Sequence, residues 1–422
     1  MLKGKRIMKL KILFTMAIAI VLSGCVGTPD SEGWRYGQKS EFLSILKTDK
    51  YMSLCNQKKL YEQVKSSGNT KLMTKLLIAY TNNLANSCIN MKSFKASQRA
   101  KRARDIDTYF GVNYQKVKAS DIQMKLKAGQ SIEQILQPYI PTTPQFNALI
   151  EKYNILRKSK DVNPEHLKKI RLNIERTKLM KPMMGTHYTL VNIPEFQLRV
   201  IENDKTVLKS RVIVGKPNMQ TPVFSERMKY VQINPQWNVP DSIMRKSYIP
   251  KIKANPGWVA AKGMELHKDS YDLRSPKVNP ATVDWSKYPR DGKGYIPYKL
   301  VQVPSLKNGL GRMKFIFPNK HAVYIHDTQS KSLFKREKRA FSHGCIRLSK
   351  PKTLLKHVTS RYSGKSLESV ESWYGSGKTR HLSLNKPLYV HTAYFTAYVD
   401  ETGTLKLFND VYGYDKSQRL TF

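Results

Sequence analysis

The sequence predicts an α+β protein: an N-terminal helical scaffold region followed by a mainly-β domain into which a lid is inserted. Three observations carry this. Apolar residues recur at helical spacing from about 41 to 180, as in Leu60, Val64, Leu72, Leu76, Leu77 and Leu84. After Pro182 the chain becomes rich in β-branched residues, and short strand-like runs replace the helical pattern. Between about 240 and 312 lies a long stretch with Trp258, Trp285 and many prolines and glycines, longer than ordinary connections in compact domains. A chain of 422 residues suffices for two or three domains, and 40% hydrophobic with 25% charged residues is ordinary globular composition.

The first 25 residues read as an export signal. Lys3, Lys5, Arg6, Lys9 and Lys11 form a basic start, and the apolar run Ile12 to Leu22 is too short to span a bilayer. Met8 is an equally good start. The run ends Leu22-Ser23-Gly24-Cys25, which resembles a bacterial lipobox, with Cys25 the lipidated residue. An ordinary secretory signal with an incidental cysteine is the alternative. Residues 26–40 are polar and read as a tether.

The helical region, 41–180, has recognisable starts. Ser131-Ile132-Glu133-Gln134 looks like a capping box, Thr143-Pro144 opens a helix with Phe146, Leu149, Ile150 and Tyr153 on one face, and Asn163-Pro164 opens another. The charge run Lys95 to Arg104 reads as a solvated helix face. In the second part, 181–422, Thr189 to Val214 reads as a hairpin broken at Glu202-Asn203-Asp204-Lys205. Further strands are expected at 230–233, 322–326, 345–348, 388–390 and 396–399, with a helix from Pro351 to His357.

Charge limits the partners. Lys and Arg number 74 against 31 Asp and Glu, a net +43, and removal of residues 1–24 takes five positive charges with it and leaves +38. Such an excess calls for an anionic partner. An exported protein meets no chromosomal DNA, and no nucleic-acid motif appears, so cell-wall carboxylates or anionic envelope lipids are expected instead.

Of four cysteines, Cys55 and Cys88 lie 33 residues apart and are suited to a staple between helices, with two buried thiols as the alternative. Cys345 is left over, in Ser342-His343-Gly344-Cys345-Ile346-Arg347. Strand alternation in Ala322-Val323-Tyr324-Ile325-His326 sets His326 on the face away from the inferred core. Gly344 permits a tight turn whose N–H groups converge on a carbonyl oxygen, and Arg347 shares a face with Cys345 and suits a carboxylate. Tyr324 reads as a packing residue. A zinc site from His321, His326, His343 and Cys345 is a weak rival, because the His321–His326 spacing does not put both rings on one strand face.

His326, fifteen intervening residues, then Ser342-His343-Gly344-Cys345-Ile346-Arg347 resembles the signature of the L,D-transpeptidases with a YkuD-type catalytic domain. Val214-Gly215-Lys216-Pro217, Thr221-Pro222, Asn234-Pro235-Gln236-Trp237-Asn238-Val239-Pro240, Phe317-Pro318 and His326-Asp327-Thr328 extend the likeness to the large Gram-negative subgroup, which has a helical scaffold and a capping subdomain. No room is left here for that subgroup's separate peptidoglycan-binding domain.

The resemblance implies Cys345 as nucleophile, with His326 as its base and His343 and Gly344 shaping the site. Ser342 belongs to the same turn, and Arg347 holds the donor peptide. It implies attack on the diaminopimelate–D-alanine bond of a peptidoglycan tetrapeptide stem, release of D-alanine, and transfer of the acyl group to a neighbouring amine as a 3→3 cross-link. No metal and no cofactor is implied, and acylation by carbapenems is. Water or a lysine of an outer-membrane protein are alternative acceptors, and a non-catalytic wall-binding lipoprotein is the alternative from another class. The residue after the lipobox, Val26, favours a lipid anchor in the outer membrane with the body facing the periplasm.

Overall fold

The computed structural model describes residues 28–102, 110–180 and 184–420, with the backbone alone at 99–102. The signal segment with Cys25, and the end of the charge run at Lys95–Arg104, lie outside the described residues. Among the described residues, no helix is long and apolar enough to cross a membrane.

The helical body comprises α1 (Tyr36–Thr48), α2 (Lys58–Ser67), α3 (Thr70–Asn86), α4 (Met91–Arg102), α5 (Ala119–Lys127), α6 (Ile132–Leu136), α7 (Pro144–Leu156) and α8 (Pro164–Lys178). Its starts follow local chemistry. The Ser131 hydroxyl accepts the Gln134 N–H at 3.1 Å, closing the capping box of α6, and the Asn163 carboxamide accepts the Glu165 N–H at 2.9 Å at the start of α8. Thr143 opens α7 without a side-chain cap; Pro144 at the first turn suffices. Cys55 and Cys88 are joined in a disulfide, their Cα atoms 6.0 Å apart.

The polar stretch 26–40 is not a tether over its whole length. Trp34 is buried against Phe42, ring centroids 5.8 Å apart, with its indole N–H on the Thr74 hydroxyl, and α1 has begun by Tyr36. One large aromatic outweighs the polarity of its neighbours.

The β part is a nine-stranded sheet that closes on itself. Its strands are β1 (His187–Asn192), β2 (Gln197–Glu202), β3 (Lys205–Gly215), β4 (Phe224–Ile233), β8 (Met313–Ile316), β9 (Ile325–His326), β10 (Ala340–Ser342), β11 (Ile346–Leu348) and β12 (Arg380–Ala393). They run β10-β3-β11-β9-β8-β4-β12-β1-β2, and β2 pairs back onto β3. The single hairpin expected across 189–214 is thus three antiparallel strands, turning first at 193–196 and again at Asn203-Asp204. Helices α9 (Pro351–Val358) and α10 (Leu367–Gly375) contribute Leu354, Leu355, Val358 and Val370 to the core this sheet encloses.

Between β4 and β8 stands the lid. It is folded: strands β5 (Trp237–Asn238), β6 (Met264–Lys268) and β7 (Tyr298–Gln302) form a sheet of order β5-β7-β6, backed by helical turns from Asp241 to Ala261. Met244, Ile252, Leu266, Trp285, Ile296 and Leu300 give it a core of its own.

The change of texture near 180 divides the backbone but not the packing. Phe94, Phe110, Leu172 and Leu179 join the core of the closed sheet, while Ala397 and Val399 of β13 (Ala397–Val399), paired with β14 (Leu405–Leu407), join the helical core. Helix α8 is the joint. Its Asn173 and Arg176 bind the Thr396 hydroxyl at 2.8 and 3.0 Å, and its buried Arg171, Glu175 and Lys178 form an ion cluster that also binds the Met52 carbonyl.

Candidate active site

Three neighbouring strands build the site by alternation. Phe315 on β8, Ile325 on β9, and Ile346 and Leu348 on β11 point into the core. Their neighbours Lys314, His326 and Arg347 therefore share the opposite face, and so do Tyr324 and Cys345 just outside the strand ends. Register makes this concrete: Lys314 pairs with His326, Arg347 pairs with His326, and Ile346 pairs with Ile325, which sets Cys345 beside Tyr324.

The turn before β11 is held from both sides. The Ser342 hydroxyl accepts the Gly344 N–H at 3.1 Å and donates to the Cys345 carbonyl at 2.6 Å. Gly344 has φ +118°, in a region that L side chains avoid. Its carbonyl accepts the Thr221 hydroxyl at 2.7 Å, and that hydroxyl in turn accepts the Gly215 N–H at 2.9 Å. Tyr412 locks the same corner, accepting the Thr221 N–H at 3.0 Å and donating to the Gly215 carbonyl at 2.9 Å.

Cys345 is the one free thiol among the described residues, half-buried, its Sγ 3.9 Å from the Ala322 carbonyl. Ala322 itself has φ +53°, a strained position for a residue with a Cβ. Asn319 holds it there: its amide donates to the Phe317 and Val323 carbonyls at 2.6 and 2.7 Å, and its oxygen accepts the His321 and Val323 N–H groups at 3.0 and 3.2 Å.

Burial pushes the Cys345 thiol above its ordinary pKa; the Tyr324 main chain and hydroxyl, Lys314 and Arg347 pull the other way. His326 is 5% exposed, and burial, with help from the Arg347 and Lys314 charges, pushes its pKa down to about 3. Its Nδ1 lies 2.5 Å from the Asp327 carbonyl. A carbonyl only accepts, so Nδ1 carries the proton and Nε2 is left as the basic nitrogen. The Cys345 thiol points to the Ala322 carbonyl and not to the His326 ring. Tyr324, not His326, lies beside Cys345 along the register. His343 is exposed beside the site, its pKa lowered by burial of its ring and by the Lys216 and Arg347 charges.

Arg347 is half-buried, and its Nε has no hydrogen-bond partner; burial lowers its pKa, opposed by Cys345 and the lid's Tyr248. Tyr248 packs between Trp237 and Trp258, at 6.1 and 5.0 Å between centroids, so the lid roofs the site with aromatic rings. The Trp237 indole lies against the Tyr324 hydroxyl, whose pKa burial holds far above the ordinary value.

Cys345, His326, Arg347, Gly344 and Ser342 thus come together, with His343 at the rim. Lys314, Asn319 and the lid's Tyr248 escaped the sequence reading; Thr221 entered it only through the family likeness, and the Tyr324 hydroxyl lies by Cys345. Lys314 had only a faint signal, a lone lysine between Met313 and Phe315. Cys55 and Cys88 lie apart, in the helical body. Among the described residues no three His, Cys, Asp or Glu side chains gather as a metal site.

Residues 186–380 match the YkuD family, described as the L,D-transpeptidase catalytic domain. This segment is similar to a YkuD catalytic domain. A Haemophilus influenzae protein whose name assigns it to the L,D-transpeptidases is 31% identical over 252 residues, covering 60% of this chain and 49% of its own length. The chain therefore spans about half the length of that curated relative. Among solved structures, an L,D-transpeptidase from Mycobacterium smegmatis is similar at 13% identity and TM-score 0.21, covering 49% of this chain and 58% of that one. One from Enterococcus faecium is similar at 9% identity and TM-score 0.23, covering 67% and 94%. At such scores the solved structures add nothing to the chemistry. The whole site, from Thr221 to Arg347, falls within the YkuD segment.

Proposed function

We propose that the chain is a peptidoglycan L,D-transpeptidase acting through a Cys345 thioester. The observation that carries this is a free thiol on a pinned turn of the YkuD domain, sharing one sheet face with a neutral histidine and two cations. The helical body, 41–180, serves as scaffold, 181–422 as the catalytic unit, and about 240–312 as the cap over the stem peptide.

In the resting site thiol and imidazole are both neutral. On binding, Arg347 takes a carboxylate of the donor stem through the Nε that lacks a partner. A modest rotation of Cys345 away from the Ala322 carbonyl brings Sγ towards His326, whose Nε2 accepts the thiol proton. The thiolate adds to the carbonyl carbon of diaminopimelate, and the oxyanion forms beside the Cys345 N–H. The C–N bond breaks, the proton on His326 goes to the departing D-alanine amine, and the acyl group remains on Cys345 as a thioester. An amine of a second stem then attacks the thioester, loses its proton to His326, and returns the thiol. An amide is broken and an amide is made, so no external energy source is required.

By the lipobox resemblance, the protein is held by lipid on Cys25 at the outer membrane, facing the periplasm, and the basic mature chain, +38 once residues 1–24 are removed, is drawn to the carboxylates of the wall. Incubation of purified protein with tetrapeptide-stem muropeptides tests the reading. Cross-linked dimers with free D-alanine are expected. Tripeptide stems with D-alanine and no dimer would assign water as the acceptor instead, and an attached lysine peptide would assign a protein. Untouched substrate, with binding that survives Cys345→Ala, would replace the enzyme with a wall-binding protein.

A further inference from the structure

We propose that Lys314 is an activating residue of this site: its ammonium group is the positive charge that favours the Cys345 thiolate beneath the lid. The inference rests on the reading of Cys345 as nucleophile.

Geometry assigns the role. Lys314 stands on β8, two strands from Cys345, with its stem on the site face by the alternation Met313, Lys314, Phe315. Its Nζ lies 4.0 Å from the centroid of the Tyr324 ring, and the Tyr324 hydroxyl is the group that approaches Cys345. The ammonium group is therefore fixed by a cation–π contact to the side chain next to the thiol. Among the described residues no Asp or Glu pairs with Lys314; burial lowers its pKa, and the one anion that opposes this is the Cys345 thiolate. A half-buried lysine without a carboxylate is costly, and a transient thiolate supplies the missing countercharge.

The other charged and titratable groups facing Cys345 do not duplicate it. On and just before β9, His326 and Tyr324 are neutral, the first by its lowered pKa and the second by its raised one. From the turn, His343 is exposed and its pKa is lowered, with Lys216 beyond it. From the lid, Tyr248 is neutral because burial raises its pKa. Only Arg347 on β11 is a second cation, and its partnerless Nε is the one placed for a substrate carboxylate. Once that carboxylate neutralises Arg347, Lys314 is the charge that still favours the thiolate. It has no proton to give or take in the step; it acts through the field at Sγ and through the position of Tyr324.

The test reads thiol ionisation without requiring turnover. Iodoacetamide alkylation of Cys345 in the full chain, followed as the mass of the peptide containing residue 345, gives a rate-against-pH midpoint for that thiol alone. Lys314→Gln is expected to raise the midpoint by about one pH unit and to slow alkylation at neutral pH roughly tenfold, since one unit of pKa is a factor of ten in thiolate. Lys314→Arg keeps the charge and is expected to keep the midpoint. Lys314→Met, which preserves the stem against Tyr324, carries the same expectation as Lys314→Gln should the latter not fold. An unchanged midpoint in a folded, uncharged variant overturns the proposal, as does an equal shift in Lys314→Arg. Muropeptide turnover measured alongside separates the two readings: a shifted midpoint in an enzyme inert towards muropeptides sustains the role of Lys314 and removes the transpeptidase.

Discussion

The Thr221 hydroxyl donates to the Gly344 carbonyl at 2.7 Å while accepting the Gly215 N–H at 2.9 Å, so one buried side chain fastens the nucleophile turn to the end of β3. A residue far from the Cys345 motif in sequence thereby fixes where Sγ sits. Thr221→Val keeps the volume and leaves both backbone groups unsatisfied. It is expected to cost about 1–3 kcal/mol in urea unfolding and to slow Cys345 acylation more than it weakens substrate binding. A valine variant with wild-type stability and rate would show that the turn stands without the bridge.

Ala322 makes a prediction of opposite sign. Its left-handed φ of +53° is tolerated because Asn319 ties the turn around it. Ala322→Gly relieves that strain and is expected to stabilise the protein by up to about 1 kcal/mol. Asn319→Ala removes four bonds to the turn and is expected to destabilise by about 2–3 kcal/mol. Thermal unfolding of the two variants checks both signs.

His326 predicts a pH dependence of stability. Its folded pKa, about 3, lies below the ordinary histidine value of 6.5. Between these values the unfolded chain binds the extra proton and the folded chain does not. Stability from keeping His326 neutral is therefore complete above about pH 6.5 and falls as pH drops towards 3, with a slope of up to about 1.4 kcal/mol per pH unit. His321 and His343, also lowered, add to the slope. The difference between wild type and His326→Gln in urea unfolding across that window isolates this histidine: the variant is expected to show the shallower fall, and parallel curves would count against a buried neutral ring.

The Cys55–Cys88 bridge, spanning 33 residues, constrains the unfolded helical body. Chain-entropy reasoning gives about 3–4 kcal/mol. The double variant Cys55→Ala/Cys88→Ala is expected to lose that much in denaturant while Cys345 remains reactive to iodoacetamide. Retained stability would show that the helical core needs no staple.

Much of this was legible in the sequence, and the reason is locality. Capping at Ser131 and Asn163 lies within single turns, and the Ser342–Arg347 motif places Gly344, Cys345 and Arg347 by turn and strand geometry alone. The order of helical region, mainly-β domain and lid followed from periodicity and from the length of the insertion, while the closure of the sheet did not. What stayed hidden depends on long-range pairing. Lys314 joins the site because β8 pairs with β9, and a four-residue strand at the edge of an insertion carries little pattern. Tyr248 reaches Arg347 only once the lid has folded around its own core. Trp34 looked like tether because its neighbours are polar, and its partners Phe42 and Thr74 lie on two different helices. β13 looked like part of the catalytic sheet because a strand of three residues does not announce which core it completes.

The most direct measurement of the central claim is peptide mapping by mass spectrometry of protein quenched during incubation with a tetrapeptide-stem muropeptide. The account predicts that the mass of the stem less D-alanine appears on the peptide containing Cys345, is removed by hydroxylamine as a thioester would be, and is missing in Cys345→Ala. Turnover by Cys345→Ala, or an acyl group found on any other residue, would contradict it.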